Sequence, residues 1–110
     1  MLPRAARLTR GEGFRVAVRA GRRAGTRTMV VHWHDEGPAP VEVGFVVSKA
    51  VGNAVARNRV KRRLRHLTRE HLQELPGRGV LVVRALPDAA AAGHEALRAD
   101  LTRGLARVLP

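Results

Sequence analysis

The chain has no cysteine and no tyrosine, and its only aromatic residues are Phe14, Trp33 and Phe45. Without cysteine, neither a disulfide framework nor a thiolate metal site is available. Three aromatics are too few for the stacking platform of an RRM or OB-type module, so any nucleic-acid recognition must rest on phosphates and shape. Acids are also scarce. Nine Asp and Glu face 21 Lys and Arg, a formal charge of +12. The carboxylates are scattered and none forms a pair suited to flank a scissile bond, which argues against a stand-alone hydrolase. No apolar run approaches the ~20 residues needed for a membrane-spanning helix, and the start MLPRAARL lacks the apolar segment of a signal peptide. There is no P-loop, and Gly11-Glu12-Gly13 is too short to be a nucleotide fingerprint. These exclusions fit a cytoplasmic protein, and the charge points to a polyanionic partner: nucleic acid, an acidic membrane surface or an acidic protein. The 110 residues are expected to form a single domain, with residues 1–8 as a mobile basic tail.

What the chain does contain is concentrated basic charge. Between Ser48 and Arg69 stand eight of the 21 basic residues and no acid. A compact state with this imbalance repels itself unless a polyanion is present. Gly52 breaks the preceding segment and Asn53 is a good N-cap, so a helix is predicted from Ala54 onward. At about 100° per residue, Val60, Leu64, Leu67, His71 and Leu75 share one side. Asn58, Arg59, Arg62, Arg65 and Arg69 share the other; Arg57 and Lys61 border the apolar stripe on one flank and Arg63 on the other. Such a face suits a phosphate backbone. The excess of Arg over Lys reads as genome composition; the positions of the charges carry the argument.

Along the chain, Thr9-Arg10-Gly11-Glu12 reads as a capping box that opens a short helix ending near Ala20, with Phe14, Ala17 and Val18 on one side. Arg22 to Arg27 is a basic loop with room for a short edge strand. From Thr28 to His34 the pattern alternates, with Met29, Val31 and Trp33 on one face and Val30, His32 and His34 on the other. Asp35 to Pro40 is an acidic, proline-rich turn. Val41 to Ser48 is a second strand, expected to pair antiparallel with the first across that turn. Pro76 to Gly79 is a break, and Val80-Leu81-Val82-Val83 is an apolar run expected of an interior strand. His94 to Leu109 reads as a final helix with Leu97, Leu101, Leu105 and Val108 at helical spacing. The order is α-β-β-α-β-α, with an extra strand near Arg23: an α+β fold in two layers, a central mixed sheet with helices packed on it. His32 and His34 form an i, i+2 pair of metal-ligand type. With no Cys and only Asp35 and Glu36 near by, a polar strand face is the better reading.

The stretches Gly44-Phe45-Val46-Val47-Ser48-Lys49, Gly52-Asn53-Ala54-Val55 and Arg57-Asn58-Arg59-Val60-Lys61-Arg62 together resemble the signature of the bacterial ribonuclease P protein subunit, in order and over about twenty positions. One departure is Ala50, which stands where the signature has a second Lys. The resemblance implies a left-handed βαβ crossover, which nothing in the residue pattern shows. It implies a large catalytic RNA subunit that removes the 5′ leader of precursor tRNA with Mg2+ held mainly by RNA, and none bound by the protein alone. The implied contacts to the RNA subunit are Asn53, Arg57, Asn58, Arg59, Lys61, Arg62, Arg65 and Arg69. The implied leader cleft lies between the first helix and the sheet, with Phe14, Val18, His32, Val46, Ser48 and Lys49. Val18 replaces the second of two aromatics, and His32 stands where many relatives place one.

Charge and the basic helix fit a structural or ribosomal RNA-binding protein equally well; only the ordered signature argues for ribonuclease P. A DNA-binding helix-turn-helix would need a helix where a strand precedes the basic helix. A membrane-surface helix would need a wider apolar stripe, free of the core.

Overall fold

The computed structural model describes residues 21–110. The expected first helix with Phe14 and Val18, its capping box and the basic tail lie outside the described residues. Four strands form one sheet: β1 (Arg22–Gly25), β2 (Met29–His34), β3 (Glu42–Val46) and β4 (Val80–Ala85). The basic helix spans Ala54–Arg69 and the C-terminal helix His94–Val108. Short 3-10 turns occupy Lys49–Val51, Leu72–Glu74 and Pro87–Ala89.

The sheet order is β1-β2-β4-β3. This corrects the expected antiparallel pairing of β2 with β3. The apolar run of β4 lies between them, antiparallel to β2 and parallel to β3. Val80, Leu81, Val82 and Val83 are all buried, and only an inner strand offers both faces for that. The turn from Asp35 to Pro40 must therefore span about 10 Å, two interstrand spacings. It is held by the other loop: Gly79 N–H donates to Pro38 O at 3.0 Å, and Val41 and Glu42 N–H donate to Gly77 O and Gly79 O at 3.1 and 3.0 Å. Gly79 has φ +129°, and a Cβ there would lie 2.6 Å from the Trp33 ring, so the break at this point needs glycine.

Register sorts the side chains. Met29, Val31 and Trp33 stand opposite Ala85, Val83 and Leu81, with Val43 beyond Leu81 and Phe45 beyond Val83. This face joins Val60, Leu64 and Leu67 of the basic helix and Leu97, Leu101, Leu105 and Val108 of the C-terminal helix in one core. The C-terminal helix approaches β2 closely at Gly104, where a Cβ would lie 2.6 Å from Val31 Cγ2. Asp100 fastens the same helix to the start of β2. It is 4% exposed. It accepts Thr28 Oγ1–H at 2.6 Å, Thr28 N–H at 3.2 Å and an Arg103 guanidinium N–H.

One further sequence expectation needs adjustment. The basic helix does not run to Leu75. It ends at Arg69, with Glu70 N–H closing on Leu67 O and Thr68 O. Pro76 holds Leu75 in an extended conformation (φ −75°, ψ 141°), so the chain must leave the helix before it. Leu75 still reaches the core, from a 3-10 turn. The basic segment near Arg22 contains the expected short edge strand, β1, and two of its three arginines are engaged. Arg22 Nε–H donates to Val108 O at 2.7 Å and Nη2–H to Asp35 at 3.0 Å, while Arg27 pairs with Asp88. An arginine at the last carbonyls of the C-terminal helix also complements its dipole.

Gly104→Ala should lower stability by about 1–3 kcal/mol through overpacking against Val31, even though alanine favours a helix over glycine by about 1 kcal/mol; urea unfolding of the two proteins measures this. A second expectation concerns acid. Burial pushes the Asp100 carboxyl up, but the Thr28 bonds, the Arg103 guanidinium and the Thr26 hydroxyl outweigh it and hold the group below its ordinary value. A depressed folded pKa gives stability that is complete above the unfolded value of about 3.9 and is lost as pH falls through the folded value. Asp100→Asn should therefore cost about 1.5–3 kcal/mol at neutral pH and flatten the loss of stability below about pH 4, read from melting temperature against pH.

Candidate nucleic-acid interface

The basic helix begins as its sequence demands. The Asn53 side chain accepts Ala56 N–H at 2.9 Å, so its oxygen is engaged in the cap and its amide N–H2 remains free to donate outward. From that start, Val60, Leu64, Leu67 and Thr68 are buried. Asn58, Arg59, Arg62 and Arg69 are exposed, and Arg57, Lys61, Arg63 and Arg65 are half-buried at the flanks. Among the described residues, the ion pairs of arginine with carboxylate are Arg22–Asp35, Arg27–Asp88, Arg98–Glu70, Arg98–Glu95 and Arg103–Asp100. None involves a cation between Lys49 and Arg69. Among the described residues no carboxylate pairs with this face, whose charge is left uncompensated. A phosphate backbone is a polyanion of the kind such a face attracts.

The second surface is the sheet face turned away from both helices. Arg23, His32, Val82 and Gly44 form one row across it; Val30, Arg84 and Val46 form the next. Val80, Val82 and Val46 make a small separate apolar cluster. His32, on the strand face expected to be polar, is 1% exposed. Among the described residues, neither of its ring nitrogens has a hydrogen-bond partner. Burial, then the charges of Arg84 and Arg23, hold its pKa below the ordinary 6.5, so the ring is neutral at pH 7 with one donor and one acceptor. His34 is half-buried. Among the described residues, no three His, Asp or Glu side chains come together as a metal-binding group.

The two surfaces are joined by the chain itself. β3 ends at Val46 on the sheet face, Ser48 and Lys49 follow as exposed residues, and Asn53 opens the helix. The structure thus brings His32, Val46, Ser48 and Lys49 to one side and edge of the sheet, and the helical set to another; Phe14 and Val18 are outside the described residues. Arg84 and Arg23 were missed by sequence reading. Their alternation was visible, but their place beside His32 depends on which strand pairs with which.

Relatives and solved structures agree on the family. The Ribonuclease P family profile matches residues 2–109. A ribonuclease P protein component of a Nocardioides species is 60% identical over 111 residues, covering 98% of this chain and 95% of the relative. The chain belongs to the ribonuclease P protein family. The component from Streptomyces avermitilis is 51% identical over 118 residues, covering 99% and 96%. A mutant ribonuclease P protein from Staphylococcus aureus superposes with a TM-score of 0.84 at 26% identity, covering 96% of this chain and 91% of that one. The mixed sheet with two helices found here is the ribonuclease P protein fold, and the subunit role in that RNA-processing endoribonuclease follows from membership.

Bound anions favour the folded state of a protein with such a face by mass action. Sulfate should raise the melting temperature of the free protein well above what chloride does at equal ionic strength, by about 4–8 °C for each kcal/mol of binding. Differential scanning calorimetry in the two salts checks this, and equal shifts would deny specific anion sites.

Proposed function

We propose that this ribonuclease P protein docks on a large catalytic RNA through Asn53, Arg57, Asn58, Arg59, Lys61, Arg62, Arg65 and Arg69, and holds the 5′ leader of precursor tRNA along the opposite sheet face. The observation that carries the reading is the uncompensated arginine face on a chain of this family. Arginine forks pair two phosphate oxygens at once, which fixes the register of the helix on the RNA. On the other surface, half-buried Val46 offers an apolar spot and Ser48 and Lys49 an exposed polar edge, with His32 and Val82 buried beneath them as the support of that face. Phe14 and Val18 complete the proposed leader cleft. Holding the leader raises the affinity for precursor over mature tRNA and positions the scissile phosphate in the RNA active site.

The cleavage chemistry belongs to the RNA. By the family resemblance, the Mg2+ ions of the reaction are assigned to the RNA subunit. No step is assigned to a protein-held metal. The work proceeds in the cytoplasm, where precursor tRNA is made.

Arg59→Ala and Arg62→Ala should each weaken binding to the RNA subunit and reduce the slope of log affinity against log salt by about one for each phosphate no longer held. Their effect on precursors with long and with very short leaders should be the same. Cleavage at low Mg2+, with the RNA alone and with RNA plus each variant, is the measurement. A defect confined to long leaders would place the helix in the leader cleft and reverse the two assignments.

A further inference from the structure

The outer face of the basic helix has one feature that neither packing nor charge explains. Val55 is 68% exposed, the one large apolar side chain so exposed among the described residues. It sits in the first turn of the helix, between Ala54 and Ala56, where its β-branch is less favourable than alanine. At about 100° per residue it falls in the middle of the basic face, on the line of Asn58, Arg59, Arg62 and His66. With Asn58, Lys61, Arg62, Arg65 and His66 it lines an open groove of about 590 Å³, within the size range of pockets that take small organic groups. The two methyl groups of Val55 have nothing to offer a phosphate. Set against a regular A-form backbone, they would only displace water from charged oxygens.

The same side chain fits a ribose or the face of a base that has left its stack. Arg62 and Arg65, about two and three turns further along the helix, line the same groove and offer guanidinium groups to the phosphates that neighbour such a nucleotide, and a guanidinium plane also stacks on bases. Structured RNA presents unstacked nucleotides at bulges and loops, where proteins achieve specificity, and not along its duplexes.

Building on the docking role argued above, we propose that Val55 is the apolar contact for one unpaired nucleotide of the RNA subunit, so that the basic helix selects a bulge or loop and does not merely follow a duplex backbone.

Val55→Ala tests this with Arg62→Ala as the comparison, each bound to the cognate RNA subunit and to a fully paired RNA duplex of similar length over a range of salt. Val55→Ala should keep or slightly raise the melting temperature of the free protein, since alanine is the better helix former. It should weaken binding to the RNA subunit by about three- to tenfold, as expected when one or two buried methyl groups are removed. The slope against salt should not change, because every phosphate is still held. Binding to the duplex should stay at the wild-type level. Arg62→Ala should lower the slope for both RNAs. Wild-type affinity of Val55→Ala for the RNA subunit, an equal weakening on both RNAs, or a changed salt slope would overturn the proposal. So would a lowered melting temperature, which would mean that Val55 packs against the chain itself. If Arg62→Ala also keeps the wild-type slope on the RNA subunit, the docking assignment falls with it; if only Val55→Ala is silent, the docking assignment stands.

Discussion

The placement of β4 is the constraint on which the remainder depends. Its six residues are nearly all buried, and they divide by register into two sets. Leu81, Val83 and Ala85 join the helices in the main core, and Val80 and Val82 lie beneath the other face. A strand apolar on both sides must be interior, so it separates β2 from β3 and sets the width of the sheet. That choice puts Arg84 beside His32 and places the end of β3, with Ser48 and Lys49, at the sheet's edge. β3 and the basic helix are then connected by Ser48 to Asn53, so one short segment links the two surfaces.

Charge is arranged around this frame. The carboxylates are few, and six of the eight described ones pair with Arg22, Arg27, Arg98, Arg103 or His71. Those pairs are mostly exposed and individually weak. Their consequence is what they leave over: the cations from Lys49 to Arg69 have no carboxylate partner among the described residues. The free protein is therefore built to be completed by an anion. Asp100 differs from the exposed pairs. It is buried, its bonds to Thr28 are short, and it ties the C-terminal helix to the sheet at the same region where Gly104 lets the two approach.

The strand faces were legible in the residue order, because a period of two leaves no choice once one side must be buried. The stripe Val60, Leu64 and Leu67, the Asn53 cap and the apolar face of the last helix were legible for the same kind of reason. The end of the basic helix was not. The apolar spacing through His71 and Leu75 looked continuous, yet the helix ends at Arg69, and the proline at 76 disfavours helical backbone at Leu75. The pairing of β2 with β3 across their connecting turn was also wrong. Strand proximity in the chain usually means adjacency in the sheet, and only the demand of β4 for two covered faces overrides it.

The sequence by itself determined the family, the basic face and which residues of each element turn inward. These are local properties, decided by side-chain order, periodicity and the ordered run from Gly44 to Arg62. The tertiary structure alone decided that His32 is buried and neutral beside Arg84 and Arg23, that Asp100 is enclosed with Thr28, and that Gly104 must remain small against Val31. Each of those depends on residues far apart in the chain meeting at a stated register or crossing. No pattern within one element carries that information, since it belongs to the packing of one element on another.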